Sequence, residues 1–425
     1  MNKKILAILL AMALAACLAA CGGAGGSTGE TTSVSAYKSK GEFTALNDPL
    51  SWEDLNAFPI KSADMSIEEL RKLCVDFFRY TKTACWIPDD NFTYWHNNEQ
   101  TNEFTQTAGT VYGGLPYIGT SSGSIYRVLD YMDPETGVVD IAGLTQNPKL
   151  YGNQCSIGAY WGWARVINSA KYDWTESMVA ANGFLRVGPY TYPDYTVGLS
   201  DGYRTTQILQ ENGQETMYKS YAELKAGDGI VYFTSAGHVV MIASDAHVEY
   251  LPSGAIDPAA SYVTVIDQTP TWNNATNEAG DYYAYEANVD AKWNFEKLFK
   301  GNYMPFTYGE WLGTDPIEDT ELTFSNADQE SITVEELYKA SVTCNYGLSD
   351  IYAIVHDAKG NEIFKMAARA HRAGIMELEF SKHNTNVVTW GSLEDMTAKG
   401  KYTVQIVAQV GTGERPTIWE GKLTK

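Results

Sequence analysis

The chain has 425 residues, 44% of them hydrophobic, and a formal net charge of −21. That length provides for two or three domains with proper cores, and 28 Tyr and 11 Trp argue against disorder beyond the N-terminal tail. So acidic a balance excludes nucleic acid as a partner and leaves no basic patch for anionic lipid.

In chain order, Lys3 and Lys4 form a short basic region, and Ile5 to Ala16 an apolar one too short to span a bilayer. Leu-Ala-Ala-Cys then occurs twice, ending at Cys17 and at Cys21. It resembles the lipobox of bacterial lipoproteins. The resemblance implies a signal peptide over 1–21, lipidation at Cys21, and export to the outer face of a bacterial cell membrane. An ordinary secretory signal is the alternative. Residues 22–48, rich in Gly, Ser and Thr at first, read as a flexible tether, and folding is expected from Pro49.

Ser66-Ile67-Glu68-Glu69 predicts a helix start with its capping box, and Leu70, Leu73, Cys74, Phe77 and Phe78 its buried face. Cys85 to Thr110 reads as irregular surface loops. A Gly/Pro-containing stretch, Tyr112 to Gly119, is followed by a short helical pattern over Ile125 to Met132. At Gly152-Asn153-Gln154-Cys155 a loop turns into a helix, with Asn153 as its N-cap and Ile157, Tyr160, Trp161, Ala164 and Ile167 on one buried face. Turn signals fill Lys171 to Gln214, and Tyr218 to Leu224 reads as a short helix. Strands follow at Ile230–Phe233, Gly237–Ala243 and Tyr262–Asp267, which predicts an α+β domain over 49–315. From 316 to 425 the texture changes to about seven short β-type runs in about 105 residues, the spacing of an immunoglobulin-like β-sandwich.

Four cysteines remain after Cys17 and Cys21. Without a Cys-x-x-Cys pair, zinc and thioredoxin-like chemistry are excluded. Cys74 and Cys85 are close enough in sequence to be bridged, though free buried thiols are expected, and Cys344 reads as core. Cys155 is different. A thiol in the first helical turn meets unpaired N–H groups and the positive end of the helix dipole, which favour the thiolate; the alternative is a small buried core residue. His238 follows a glycine at the start of an apolar strand, a rigid and accessible mount for a general base. Asp267 ends the next apolar strand and would reach His238 if those strands pair. His247 is a second candidate for that orienting role, read as an exposed turn residue. His96, His356, His371 and His383 read as non-catalytic.

Gln154-Cys155-Ser156 is similar to the start of the catalytic helix in NlpC-type cell-wall peptidases. Tyr112-Gly113-Gly114-Leu115-Pro116-Tyr117 resembles the segment before it. Ala226-Gly227-Asp228 with Gly237-His238-Val239 resembles that family's second motif, and Val263 to Gln268 looks more like the related CHAP amidases. Gln154 replaces the usual Asp, and Ile157 the usual Gly. The resemblance implies a papain-like fold with extended insertions over 49–315 and hydrolysis of an amide bond in peptidoglycan. Cys155 is then the nucleophile, His238 the base and acid, and Asp267 the orienter. Tyr112, Tyr117, Ser156 and Gln268 are expected to contact substrate. The expected partners are peptidoglycan or peptide, and the membrane through the lipid alone. No metal or other cofactor is expected: neither His-Glu-x-x-His nor a P-loop lysine occurs. The alternatives are a binding protein that keeps only the cleft, and transglutaminase-like acyl transfer.

Overall fold

Ser66 opens the first long helix, Ile67–Thr83. Its hydroxyl accepts the Glu69 N–H and the Glu69 carboxylate accepts the Ser66 N–H, the capping box expected from the sequence. Leu70, Leu73, Cys74, Phe77 and Phe78 are all buried. The computed structural model describes residues 45–425 except 98, 120–121, 146–150, 169, 171–174, 176–177, 179–183, 192–203, 235, 382–384, 395 and 398–399. The segment expected to be a lipobox with Cys21, the expected tether to residue 44, much of the Lys171 to Gln214 stretch and His383 lie outside the described residues.

The described chain is mixed α+β. Its larger sheet has nine strands among the described residues, in the spatial order Val138–Val139, Cys85–Pro88, Tyr112–Gly113, Tyr282–Asn294, Tyr262–Thr276, Gly237–His247, Gly229–Phe233, Met304–Thr307 and Leu185–Arg186. At its centre four successive strands form an antiparallel meander, with Ile230 opposite Val240, Ile242 opposite Val265, and Val265 opposite Ala291. Val231, Val239, Val240, Ile242, Val263 and Val265 are fully buried there. Such β-branched residues suit a pleated surface packed against helices. The Cys155–Trp163 helix packs on this sheet, with the Ile67–Thr83 helix beside it.

Several expectations are corrected. Cys85 to Thr110 is not surface loop: Cys85–Pro88 is buried throughout, and Phe92–Trp95 pairs with Glu103–Gln106 while burying Phe92 and Tyr94. Strands of four residues are too short for alternation to be readable. The helix expected over Tyr218 to Leu224 is the second half of Thr205–Ala222, divided by Gly213 at φ 74°, which interrupts the helical period. The helix expected over Ile125 to Met132 is one turn, Tyr126–Leu129. All four described cysteines are free and buried, Cys74 and Cys85 among them.

Beyond residue 316 two sheets face one another. Leu322–Phe324, Ser341–Cys344 and Glu377–Glu379 form the smaller; the larger runs Ser331–Thr333, Thr417–Thr424, Tyr402–Val410, Leu348–His356, Glu362–Ala370 and Thr385–Gly391. Phe324, Val342 and Leu378 of the first share one core with Ile351, Met366 and Ile406 of the second. The strands Ser331–Thr333 and Thr385–Gly391 and the Val334–Lys339 helix are additions to the sequence expectation.

This second unit is clamped to the first. Arg127 donates to Asp350 Oδ1 at 3.0 Å and to the carbonyls of Ser349 and Ala370. Asp130 accepts from Lys365, Arg369 and the Tyr352 hydroxyl at 2.7, 2.9 and 3.0 Å. Ser124 and Ser349 share a hydroxyl contact of 2.6 Å. Charges buried this way need such partners on both sides.

Candidate active site

Asn153 is expected to cap the Cys155 helix, but the chain holds it otherwise. Its N–H donates to the Pro116 carbonyl, its carbonyl accepts from Ile118, and its Nδ2 donates to the Gly123 carbonyl. Paired on both sides, Asn153 belongs to the backbone wall made with Tyr117 and Ser122, and Gln154 becomes the N-cap in an extended conformation, φ −94° and ψ 178°. Cys155 is thus the first helical residue, and its N–H has no intrahelical acceptor. All nine residues Cys155–Trp163 are buried, not one face of them. The sheet covers one side, and on the other the Tyr160 hydroxyl accepts the Gly374 N–H of the second unit.

Antiparallel register brings the other two groups together. With Met241 opposite Ile266, His238 lies three residues before the one and Asp267 just after the other, toward the same end of the sheet. His238 Nε2 and Asp267 Oδ2 are 2.7 Å apart. The Cys155 sulfur is near enough to His238 for the two to act on each other by charge and hydrogen bonding. Cys155, His238 and Asp267 are therefore brought together. Asp267 is not at a strand end as expected: the strand continues to Thr276, and the carboxylate sits within it, 1% exposed.

Asn288, on the neighbouring strand, completes the arrangement and was not anticipated from the sequence. Its backbone N–H donates to Asp267 Oδ1 at 2.9 Å, and its Nδ2 donates to Oδ1 at 3.0 Å and Oδ2 at 3.2 Å. With His238 on Oδ2, the buried carboxylate is saturated and fixed in orientation.

The electrostatics follow from the contacts. Burial pushes the Cys155 thiol up, but the His238 charge and hydrogen bond, with N–H donation from Val239 and Ser156, outweigh it and bring the thiol below its ordinary 9.0. Burial pulls His238 down, yet the Cys155 charge and the hydrogen bonds to Asp267 and Cys155 raise it to about 10. Both shifts favour the thiolate–imidazolium pair over the neutral one. The contrast with the other thiols is sharp: burial, the largest cause at each, raises Cys85 to about 12 and Cys344 to about 11.

The remaining candidates divide. Ser156 supplies the N–H just described from a buried position. Tyr117 is half-buried and bridges to Asn153, so it borders the site; its N–H donates to the buried Glu286 carboxylate at 2.7 Å. Tyr112 does not reach the site. It is 2% exposed, and its hydroxyl accepts the Thr107 N–H under the Phe92–Gln106 hairpin. Gln268 is fully buried with both ends of its amide engaged, accepting from Lys82 and donating to the Leu115 carbonyl, so its expected substrate contact is corrected to a structural one. Asp228 of the Ala226-Gly227-Asp228 stretch pairs with Arg71 and Thr307 and locks a turn. His247 is exposed on Glu249, and His96 is buried against Glu286.

Access is narrow. Cys155 is 4% exposed and the His238 side chain 14%. Gly237 packs so closely on Thr175 that a Cβ there would lie 1.8 Å from the Thr175 hydroxyl. No protein family, no curated protein and no solved structure matches this chain.

Proposed function

We propose that the chain is a surface-anchored cysteine amidohydrolase of papain-like type, akin to the NlpC and CHAP hydrolases, that cleaves an amide bond in cell-wall peptide. The observation that carries this reading is the meeting of Cys155, at the first turn of a buried helix, with His238 and its Asp267 partner. The Cys155 thiolate attacks the carbonyl carbon, and the oxyanion is met by the Cys155 N–H at the positive end of the helix. As the C–N bond breaks, the His238 imidazolium gives its proton to the leaving amine. Water then adds to the thioester, its proton passing to His238, and the released acid leaves the thiolate–imidazolium pair restored. Asp267, held by Asn288, keeps the imidazole in place. The C-terminal pair of sheets, immunoglobulin-like in this reading, acts as a rigid part of the enzyme.

Replacing Cys155 with Ala is expected to abolish release of soluble fragments from purified peptidoglycan while the thermal midpoint stays within a few degrees. Fragment release that persists in that variant sinks the mechanism. The low exposure of the thiol also suits acyl transfer to an amine, because a water-poor site slows hydrolysis of the thioester. Product masses with and without an added amine distinguish transfer from hydrolysis. A site that only binds would leave Cys155 no more reactive toward iodoacetamide than an ordinary thiol.

A further inference from the structure

Lys82 occupies the last turn of the Ile67–Thr83 helix, where a lysine ordinarily reaches into water and complements the carbonyl end of the dipole. Here it turns inward and is 2% exposed. Its Nζ passes 4.7 Å from the Phe78 ring centre and donates to Gln268 Oε1 at 2.5 Å. Among the described residues no carboxylate lies within salt-bridge distance of it; the Asp267 charge acts on it from farther away. Gln268 hands the contact on, donating from Nε2 to the Leu115 carbonyl at 2.8 Å.

Asn153 is the third member. Its Oδ1 is buried and, among the described residues, without a hydrogen-bond partner. The three groups converge on Gly158, one turn into the nucleophile helix: a Cβ there would lie 3.0 Å from Lys82 Nζ, 3.2 Å from Gln268 Cβ and 3.3 Å from Asn153 Oδ1. A cation beside a helix N-terminus opposes the dipole, and a buried amine forfeits hydration. Nothing in core packing asks for lysine at this point; a leucine or methionine would fill the space.

We propose that Lys82 is a positioning residue of the Cys155 site: its amine holds the Gln268 carboxamide against the first turn of the nucleophile helix, beside Asn153, and so fixes where the sulfur and the Cys155 N–H meet the substrate carbonyl. This rests on Cys155 being the nucleophile. The Leu115 loop, the Asp267–Gln268 strand and the helix come from three parts of the chain, and Lys82 with Gln268 joins them. Burial holds that amine down to about 7, with the Asp267 charge pulling the other way, so it donates its N–H without requiring a counter-charge.

The test uses the full chain with two substitutions, Lys82→Met and Gly158→Ala, and reads the second-order rate of Cys155 carbamidomethylation by peptide mass spectrometry, kcat and KM on soluble peptidoglycan peptides, and the thermal midpoint. Lys82→Met removes the amine at nearly constant volume, and Gly158→Ala presses a methyl into the hub while favouring the helix. Displacement of the nucleophile on this scale lowers kcat by about 10- to 100-fold, with KM changed less. In Gly158→Ala that loss is expected with an undiminished thermal midpoint, which a purely structural role would not produce, and this variant decides the matter if Lys82→Met does not fold. Wild-type labelling and kcat in folded variants would overturn the role of Lys82 and leave the nucleophile reading intact. A wild-type Cys155 that labels no faster than a free thiol would overturn both.

Discussion

At the scale of single residues, what distinguishes Cys155 from the other buried thiols is company. Cys85 and Cys344 are raised by burial, and Cys155 is lowered because His238 supplies a charge and a hydrogen bond that burial does not cancel. The pair has a definite pH signature. His238 is raised from 6.5 to about 10, so its contribution to stability is fully present below 6.5 and is lost as pH rises through about 10. Cys155 is lowered from 9.0, so its contribution is present above 9.0 and is lost as pH falls through its folded value. Turnover needs thiolate and imidazolium together. It is expected to rise with pH as Cys155 ionises and to fall in alkali as His238 loses its proton near 10. Asp267→Ala removes the acceptor of Nε2 and is expected to lower kcat by about 10²- to 10⁴-fold and to move the alkaline limb toward neutrality. A pH–kcat profile of both proteins checks this, and an unmoved alkaline limb would mean that Asp267 does not govern the imidazole. The three residue types were readable from sequence because each sits beside a local signal: a helix start, a Gly-His at a strand start, and an apolar run. Asn288 was not. Bulges between Glu286 and Ala287 and between Asn288 and Ala291, with Asp290 at φ 53°, break the alternation by which its strand would be recognised.

At the scale of elements, the Cys155–Trp163 helix is the piece whose sequence pattern misled most usefully. A helix apolar on all sides is buried on all sides, and the apparent single face left out Trp163, which is buried as well. Its surroundings come from distant segments that no local pattern announces, Lys82 among them. Sequence periodicity identified the Ile67–Thr83 helix correctly, yet its last turn holds a lysine whose inward course depends on Gln268, 186 residues away. That course has a measurable consequence. Lys82 is lowered from 10.5 to about 7 in the folded chain, so between those values the unfolded chain binds more protons and stability from this group rises with pH. Lys82→Met lacks the effect, while every other titrating group is shared. The stability of the wild type relative to the variant is therefore expected to increase from pH 7 to pH 10, read as the difference in urea midpoints. A difference that stays constant over that range would place the amine in solvent.

At the scale of the whole molecule, the change of texture near residue 316 was legible, and so were most of the strands beyond it, because short β-type runs and turn signals are local. The consequence of the boundary was not. Arg127, Asp130, Asp350, Lys365 and Arg369 look like ordinary surface charges in sequence, but they meet across more than 200 residues as one buried cluster. The second unit also reaches the site: the Ser122 hydroxyl donates to the His371 carbonyl at 2.6 Å, and Ser122 bridges to Asn153, two residues before the nucleophile. The two cores should then unfold together, as one calorimetric transition. Asp130 tests the coupling, since its 2%-exposed side chain is the shared acceptor of Lys365 and Arg369. Asp130→Ala leaves both cations without it, at a cost of about 3–5 kcal/mol. The expected outcome is a lowered or divided transition together with slower labelling of Cys155, because the wall that carries Asn153 loses its backing. If calorimetry instead gives two transitions in the wild type, and labelling of Cys155 ignores the substitution, the C-terminal sheets are a separable module and the site stands without them.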